Sequence, residues 1–366
     1  MISDQPRKVL VIGGGPAGAS NAIMLARLGC HVTLAERKQF PRSKACGCCL
    51  NAKGLHSLET LAIRQTVVDL GLATDRWIAS FDSHLVEAKI PQGLAISRES
   101  LDPVLIERAV ELGVEVSMNT SGRILGQDDR GVDVQLKHQS SITSSRFDIA
   151  VIASGLSSGG FNDILPWIEA PHGPFGVSCT IATDSIESGA IYMACGDDGY
   201  VGLVRLDERR VDVAAALRSG NQSQTLGDPV QRMQQLVQRS AFDVTNWDQV
   251  HSVVTTPPMR RTRVSGNGRI IAIGDAAGYV EPFTGEGMSW ALASGIEAAN
   301  LIASTADPTT LGPQWNANLN RLLNRRRQMC KVITTSLHHK IGRRLFASLA
   351  ATCPSLVTRV ANSLVA

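Results

Sequence analysis

The sequence predicts an α/β protein in which a parallel-stranded βαβ unit carries an inserted antiparallel β-sheet lobe and a helical C-terminal tail. Three observations predict it: a glycine-punctuated apolar run from Val9, a central stretch of short β-favouring segments, and a basic segment without acids beyond Asp307. Residues 9–12 are a short apolar run suited to a buried parallel strand. Gly13, Gly15 and Gly18 then complete a GxGxxG pattern, with Pro16 and Ala17 opening a helix that runs through Leu28. Gly13 permits a tight turn, Gly15 lets a pyrophosphate approach the backbone, and Gly18 lets the helix pack closely on the sheet. The unpaired N–H groups of the helix start face the phosphates. Residues 31–35 form the second strand, and Glu36 follows where a carboxylate accepts hydrogen bonds from the hydroxyls of an adenosine ribose. Strand, glycines, helix, strand and acid in register identify a Rossmann-type dinucleotide site rather than a chance glycine-rich turn.

Further along, residues 37–50 read RKQFPRSKACGCCL, and residues 98–115 place Arg98 before a helix with Ser100 as N-cap and Leu101, Leu105 and Ala109 on its apolar face. Residues 147–158 read as a buried strand ending in a glycine turn at Gly155. Residues 268–302 read as a buried strand ending in Gly274, Asp275 and Ala276, a loop with Pro282, and a helix opened by Gly285, Glu286, Gly287 and Met288. This last stretch resembles the second FAD motif of the glutathione-reductase-like flavoproteins. With the FPRxKxCG pattern, the chain is similar to the aromatic hydroxylases (group A flavin monooxygenases) and more closely to the geranylgeranyl reductases.

The resemblance implies FAD as cofactor. It implies that Asp275 meets the ribitol and that the helix start at Gly285 and Gly287 lies against the flavin pyrimidine edge, where N–H groups stabilise reduced flavin. It implies that Arg37, Arg42, Lys44 and Gly47 lie on a loop leading to the flavin, that Cys46 stands beside the ring, and that Arg98 sits near flavin and phosphates. The competing readings are a helix cap for Asp275 and a solvated loop cation for Arg98. On this basis residues 1–75, 98–160 and 263–306 form the FAD-binding domain, residues 76–97 and 161–262 the substrate lobe, and residues 307–366 a basic helical region.

Within the lobe, GPFGVSCTIAT, SGAIYMACG and GYVGLVRLDERRVDVAAALR have strand composition, with a hairpin turn at 207–210. A polar loop and a helix containing Met233, Leu236 and Val237 follow. The related proteins carry an aromatic residue and a proline where Leu203 and Leu206 stand here, which leaves the substrate open.

Eight cysteines are scattered through the chain, which is no disulfide framework. Cys46, Cys48 and Cys49 are dense, but no second ligand pair at zinc spacing accompanies them, so no metal is expected. They read either as structural thiols or as an active-site pair, with Cys46 and Cys48 catalytic and Cys49 pointing away from the flavin. Nine cations and no acids occupy residues 321–366, so subtracting nine from the net charge of +3 leaves −6 on the rest. This tail reads either as helices docked on an acidic body or as a cationic amphipathic surface for peripheral contact with anionic lipid. Basic residues are not interleaved with aromatics, so nucleic acid is not an expected partner. No signal peptide and no apolar run of membrane-spanning length is evident, and a cytoplasmic location is expected.

The expected function is an FAD-dependent oxidoreductase acting on an apolar substrate (prenyl, polyketide or aromatic), by hydride transfer to a C=C bond. The alternatives are NAD(P)H-dependent monooxygenation and a non-enzymatic prenyl-lipid carrier on an FAD fold. With no second GxGxxG unit, NAD(P)H is expected as a transient electron donor. Halogenase chemistry is disfavoured because all five tryptophans are isolated.

Overall fold

A computed structural model describes residues 6–82, 84–156, 160–220, 227–247, 249–281, 285–337 and 339–352. Its centre is a six-stranded sheet in the order Gly266–Asn267, Ile270–Ala272, Ile149–Ile152, Lys8–Ile12, His31–Ala35, Glu115–Ser117. All neighbours are parallel except the first pair. Val9, Leu10, Val11 and Ile149 to Ile152 are wholly buried, as strands covered on both faces must be.

Helix Pro16–Arg27 leaves the first strand and crosses helix Gly287–Ser304 at very close range. A side chain at Gly295 would stand 2.1 Å from Ser20 Oγ and 2.3 Å from the Ala17 carbonyl oxygen. The Asn21 amide donates to the Gly295 carbonyl at 2.9 Å. The start of the first helix thus meets the middle of the second, and the glycine-rich turns that open the two helices line one cavity.

The second layer is a nine-stranded sheet in the order Gly278–Tyr279, His251–Arg263, Trp167–Ala182, Arg210–Leu217, Gly199–Arg205, Ala190–Gly196, Leu72–Phe81, His84–Ala95, Cys49–Leu50. It is not wholly antiparallel as expected: Ala190–Gly196 pairs in parallel with Leu72–Phe81. The hairpin formed by Leu72–Phe81 and His84–Ala95 enters this sheet from an earlier stretch of chain, and a strand arriving by a long connection is free to pair in either sense. Short strands from segments assigned to the cofactor lobe, Cys49–Leu50 and Gly278–Tyr279, close its two edges. The turn at 207–210 and the helix Pro229–Gln238, which buries Met233, Leu236 and Val237, are where the sequence placed them. A third sheet, Thr120–Gln127, Val132–His138 and Ser141–Phe147, was not anticipated. Its last strand is almost entirely exposed and polar, so no apolar alternation marks it.

The C-terminal region forms two helices, Leu311–Leu337 and Lys340–Thr352. The first packs through Leu311, Trp315, Leu319, Leu323 and Cys330, and the Trp315 indole N–H donates to the Ala272 carbonyl at 2.7 Å. The second is anchored by Arg343, 1% exposed, which pairs with Asp82 at 3.3 Å and with Asp197. Basic tail and acidic body therefore meet directly. Asp82 and Asp197 are themselves about half-exposed or more, which discounts the pairs. We expect Arg343→Ala to lower the local stability of Lys340–Thr352 by about 1 kcal/mol, seen as faster amide exchange there. Pro354 and the apolar positions beyond it lie outside the described residues. Among the described residues no helix is long and apolar enough to cross a membrane.

Candidate active site

A cavity of about 470 Å³ lies between the six-stranded and nine-stranded sheets. Its floor is the pair of glycine turns. Gly13 has φ +112°, and a Cβ there would meet the Ala153 carbonyl at 2.4 Å. Gly15 is the N-cap of its helix, in extended conformation and without a side-chain cap, so the first N–H groups face the cavity. Pro16 and Ala17 line the same wall. Gly18 does not line the cavity; its missing Cβ would lie 1.8 Å from the Gly13 carbonyl, so its role is the close packing of helix on turn.

Glu36 is buried at the end of its strand, with Oε2 accepting from the Gly14 N–H at 2.7 Å and Oε1 from the Lys38 N–H at 3.0 Å. Arg42 approaches it at 3.7 Å, and Arg37 and Arg42 both reach the cavity. The carboxylate is thus fixed in position beside the phosphate turn.

Arg98 is not a loop cation. The helix Arg98–Glu111 starts three residues earlier than expected, capped by Ser97, whose side chain accepts from the Ser100 N–H; Ser100 is not the cap. Arg98 is buried and grips wholly buried Asp102 with two bonds, Nε to Oδ1 at 2.7 Å and Nη2 to Oδ2 at 2.6 Å. Burial opposes its charge, but the Asp102 carboxylate outweighs burial and holds the guanidinium pKa above its ordinary value. Arg98 reaches to within 3.2 Å of where a Gly15 side chain would stand.

Lys44 crosses the cavity from the other loop, its Nζ 3.0 Å from the missing Cβ of Gly155, which has φ +64°. Burial and Arg98 push its pKa down, opposed by Asp275. Asp275 lines the cavity in the short turn Gly274–Ala277, its pKa raised by burial against the pull of Lys44 and Arg98. Gly274 is behind it, with φ +58° and a missing Cβ 2.8 Å from Ala17 Cβ. Gly285, Gly287 and Met288 line the cavity at the start of the second helix; Pro282 lies outside the described residues.

The loop carrying Cys46, Gly47 and Cys48 lies over strand Arg210–Leu217, and all three line the cavity. Cys49 lines it as well, contrary to the expectation that it points elsewhere. It is strand-paired with Ala95, which fixes its direction, and its Cβ fills the space left by the missing side chain of Gly285, 2.7 Å from where that Cβ would be. The Cys48 thiol bonded to Cys46, helped by Arg98, outweighs burial and lowers the Cys46 pKa to about 6. The Cys48 thiol is pushed well up by the same bond and by burial, and burial raises Cys49. In flavin-free protein, we expect iodoacetamide labelling of Cys46 to rise through pH 6 and level off above it, since the thiolate is the reactive form. Cys48→Ala removes the leading cause and should move that midpoint upward.

The far wall is apolar, formed by Val177, Ile191, Met193, Leu203, Val204 and Met259 of the nine-stranded sheet. Leu206 is buried in the core but does not line the cavity. Sequence reasoning missed several polar neighbours: Asp102; Glu281, which binds Arg260 at 2.9 Å; Tyr200 and Tyr279; and Asp212. Only Asp212 left a signal, a carboxylate in the otherwise apolar strand VDVAAAL.

These residues fit FAD: an uncapped helix start with a bare glycine and Arg98 beside it for the pyrophosphate, a fixed acid for the adenosine ribose, Asp275 for the ribitol, and a second helix start on the same cavity for the ring system.

A model of the FAD binding domain family matches residues 7–307. The chain is 28% identical to digeranylgeranylglycerophospholipid reductase 1 of Methanopyrus kandleri over 301 residues, 78% of each chain. It is 27% identical to reductase 2 of that organism over 327 residues, 82% of this chain and 77% of the relative. Among solved structures it resembles a flavin-dependent brominase (TM-score 0.78, 16% identity, 98% of this chain and 93% of the other). It also resembles p-nitrophenol 4-monooxygenase of Pseudomonas putida DLL-E4 (0.76, 16%, 98% and 96%). At such identities the structural likeness speaks for the shared fold.

Proposed function

Since this chain belongs to the FAD binding domain family and is an FAD-dependent oxidoreductase, we propose that it saturates a carbon–carbon double bond of an apolar, prenyl-type substrate. The observation that carries this reading is the continuous apolar wall of sheet residues facing the cofactor cradle across one cavity. The names of the Methanopyrus relatives support it.

Bound FAD, once reduced, supplies the electron pair. Lys44, Arg98 and the N–H groups at Gly287 hold negative charge on that side of the cavity. Val177, Ile191 and Met193 bind the hydrocarbon and exclude water. The second hydrogen arrives as a proton, and the phenols of Tyr200 and Tyr279, kept protonated by burial, are groups on the wall able to hold it. NAD(P)H is the proposed transient donor of electrons to the flavin.

The test is anaerobic incubation of the photoreduced protein with an unsaturated geranylgeranyl glycerolipid. The expected product is heavier by one hydrogen molecule per bond, with flavin reoxidised in step. Product formed only in air, carrying oxygen from labelled O2, overturns the reading in favour of hydroxylation.

A lipid substrate also accords with the outer face of helix Lys340–Thr352, where Ile341 is 75% and Leu345 60% exposed beside exposed Lys340 and Arg344. We expect the intact protein to bind anionic vesicles at low salt, and the double variant Ile341→Glu, Leu345→Glu to lose about tenfold or more of that binding with flavin content unchanged.

A further inference from the structure

We propose that Cys46 and Cys48 form a reversible dithiol–disulfide centre in the flavin cavity, with Asp212 as the acid that protonates Cys48 when the bond opens. It rests on the presence of the flavin site and not on which substrate is reduced.

Gly47 alone separates the two cysteines, and Cys48 adopts φ +50°, which turns the chain back on itself. The Cys48 N–H donates to Cys46 Sγ at 3.4 Å, and the Cys48 thiol lies 3.9 Å from the Cys46 carbonyl oxygen. Each sulfur therefore lies against the other cysteine's backbone in a tight loop whose position is fixed by the Ile96 N–H donating to the Cys48 carbonyl at 2.8 Å. Cys46 is half-buried on the cavity wall, whereas Cys48 is 4% exposed.

Asp212 of strand Arg210–Leu217 is 6% exposed and is hydrogen-bonded to Cys48. Its Oδ2 has no partner among the described residues. A buried carboxyl with one oxygen unpaired is costly to keep charged, and its neighbours Val211 and Val213 show what the strand would otherwise carry. Burial keeps its pKa well above the ordinary carboxylate range, so it holds a proton where Cys48 needs one. The two thiols are unlike in the way thiol–disulfide exchange requires, a reactive outer thiolate at Cys46 and a protonated inner thiol at Cys48.

The reductant is a small dithiol. One of its thiolates attacks Cys46 Sγ; the Cys46–Cys48 bond breaks, and Cys48 leaves and takes the proton of Asp212. The second thiol of the donor, losing its proton, attacks its own sulfur in the mixed disulfide and releases Cys46 as thiolate. The donor is oxidised to a disulfide and the protein pair is reduced by two electrons. Closing the bond again releases those two electrons, which bound FAD would accept together with one proton from solvent, while the Cys48 proton returns to Asp212. The pair would thus give the flavin a second route of reduction beside a transient nicotinamide.

The test uses full-length protein, with and without FAD, equilibrated without oxygen in buffers of oxidised and reduced dithiothreitol, then alkylated and mapped by peptide mass. Cys46 and Cys48 should gain and lose label together while Cys49 stays labelled. Independent labelling of Cys46 and Cys48 across all buffers, or a disulfide through Cys49, overturns the centre. Asp212→Asn should keep the disulfide but slow its opening by about a hundredfold; opening at the wild-type rate overturns the acid role. Reduced dithiothreitol should bleach the flavin of wild type more than about tenfold faster than that of Cys48→Ala, and equal rates overturn electron entry through the pair. Failure of any prenyl substrate to be reduced leaves these thiol readouts unchanged, so the two readings fail separately.

Discussion

Gly15→Val yields a folded protein that purifies colourless. Gly15 has φ −73°, which a branched residue adopts freely, and the one atom near its missing Cβ is Arg98 Nη2 at 3.2 Å, a contact that a shift of a few tenths of an ångström relieves. The fold therefore tolerates the side chain, whereas the pyrophosphate, which must touch this backbone, does not. Loss of FAD affinity by about a hundredfold or more, ~2.7 kcal/mol, is expected, with a melting transition of the flavin-free form within a few degrees of wild type. Gly18→Val serves as the contrast: 1.8 Å from the Gly13 carbonyl, its side chain has no room and should unfold the turn itself. Full flavin occupancy in Gly15→Val would remove the first helix from the cofactor site.

The second large effect concerns Arg98. Arg98→Leu leaves Asp102, wholly buried, without the two bonds that now satisfy it. Breaking one side of a buried pair typically costs about 3–5 kcal/mol, because the stranded charge is worse than no pair at all. The double variant Arg98→Leu, Asp102→Leu should recover most of that stability in urea denaturation. It should not recover flavin affinity, since the cation beside Gly15 and Lys44 is still missing. If flavin affinity returned with stability, Arg98 would be a structural residue alone.

The first motif was legible because three of its glycines answer three separate steric demands, each visible as a spacing. The second was legible through likeness to known flavoproteins, and Gly285, Gly287 and Asp275 do face the same cavity as Gly15 and Glu36. What escaped the sequence has physical reasons. Ser97 and Ser100 are equally good caps on paper, and the choice between them decides whether Arg98 is outside the helix or four residues from Asp102 on its inner face. The exposed strand Ser141–Phe147 has no buried side to announce. The parallel pairing of Ala190–Gly196 with Leu72–Phe81 joins segments over a hundred residues apart, and no local pattern records such an encounter. Cys49 was misread because its direction is set by pairing with Ala95, far away in the chain.

The contact of Gly295 with Ala17 and Ser20 carries a consequence for biosynthesis. The phosphate turn is among the first segments to leave the ribosome, yet the helix that lies on it is made more than 250 residues later. A nascent chain ending before Gly287 lacks the second helix start and the Gly295 crossing that sets it in place. Cofactor capture is therefore a late step, completed only when nearly the whole chain is available. Ribosome-arrested chains ending near residue 265 should retain no flavin, and those extended past 337 should, which makes the yellow colour a reporter of finished assembly rather than of translation begun.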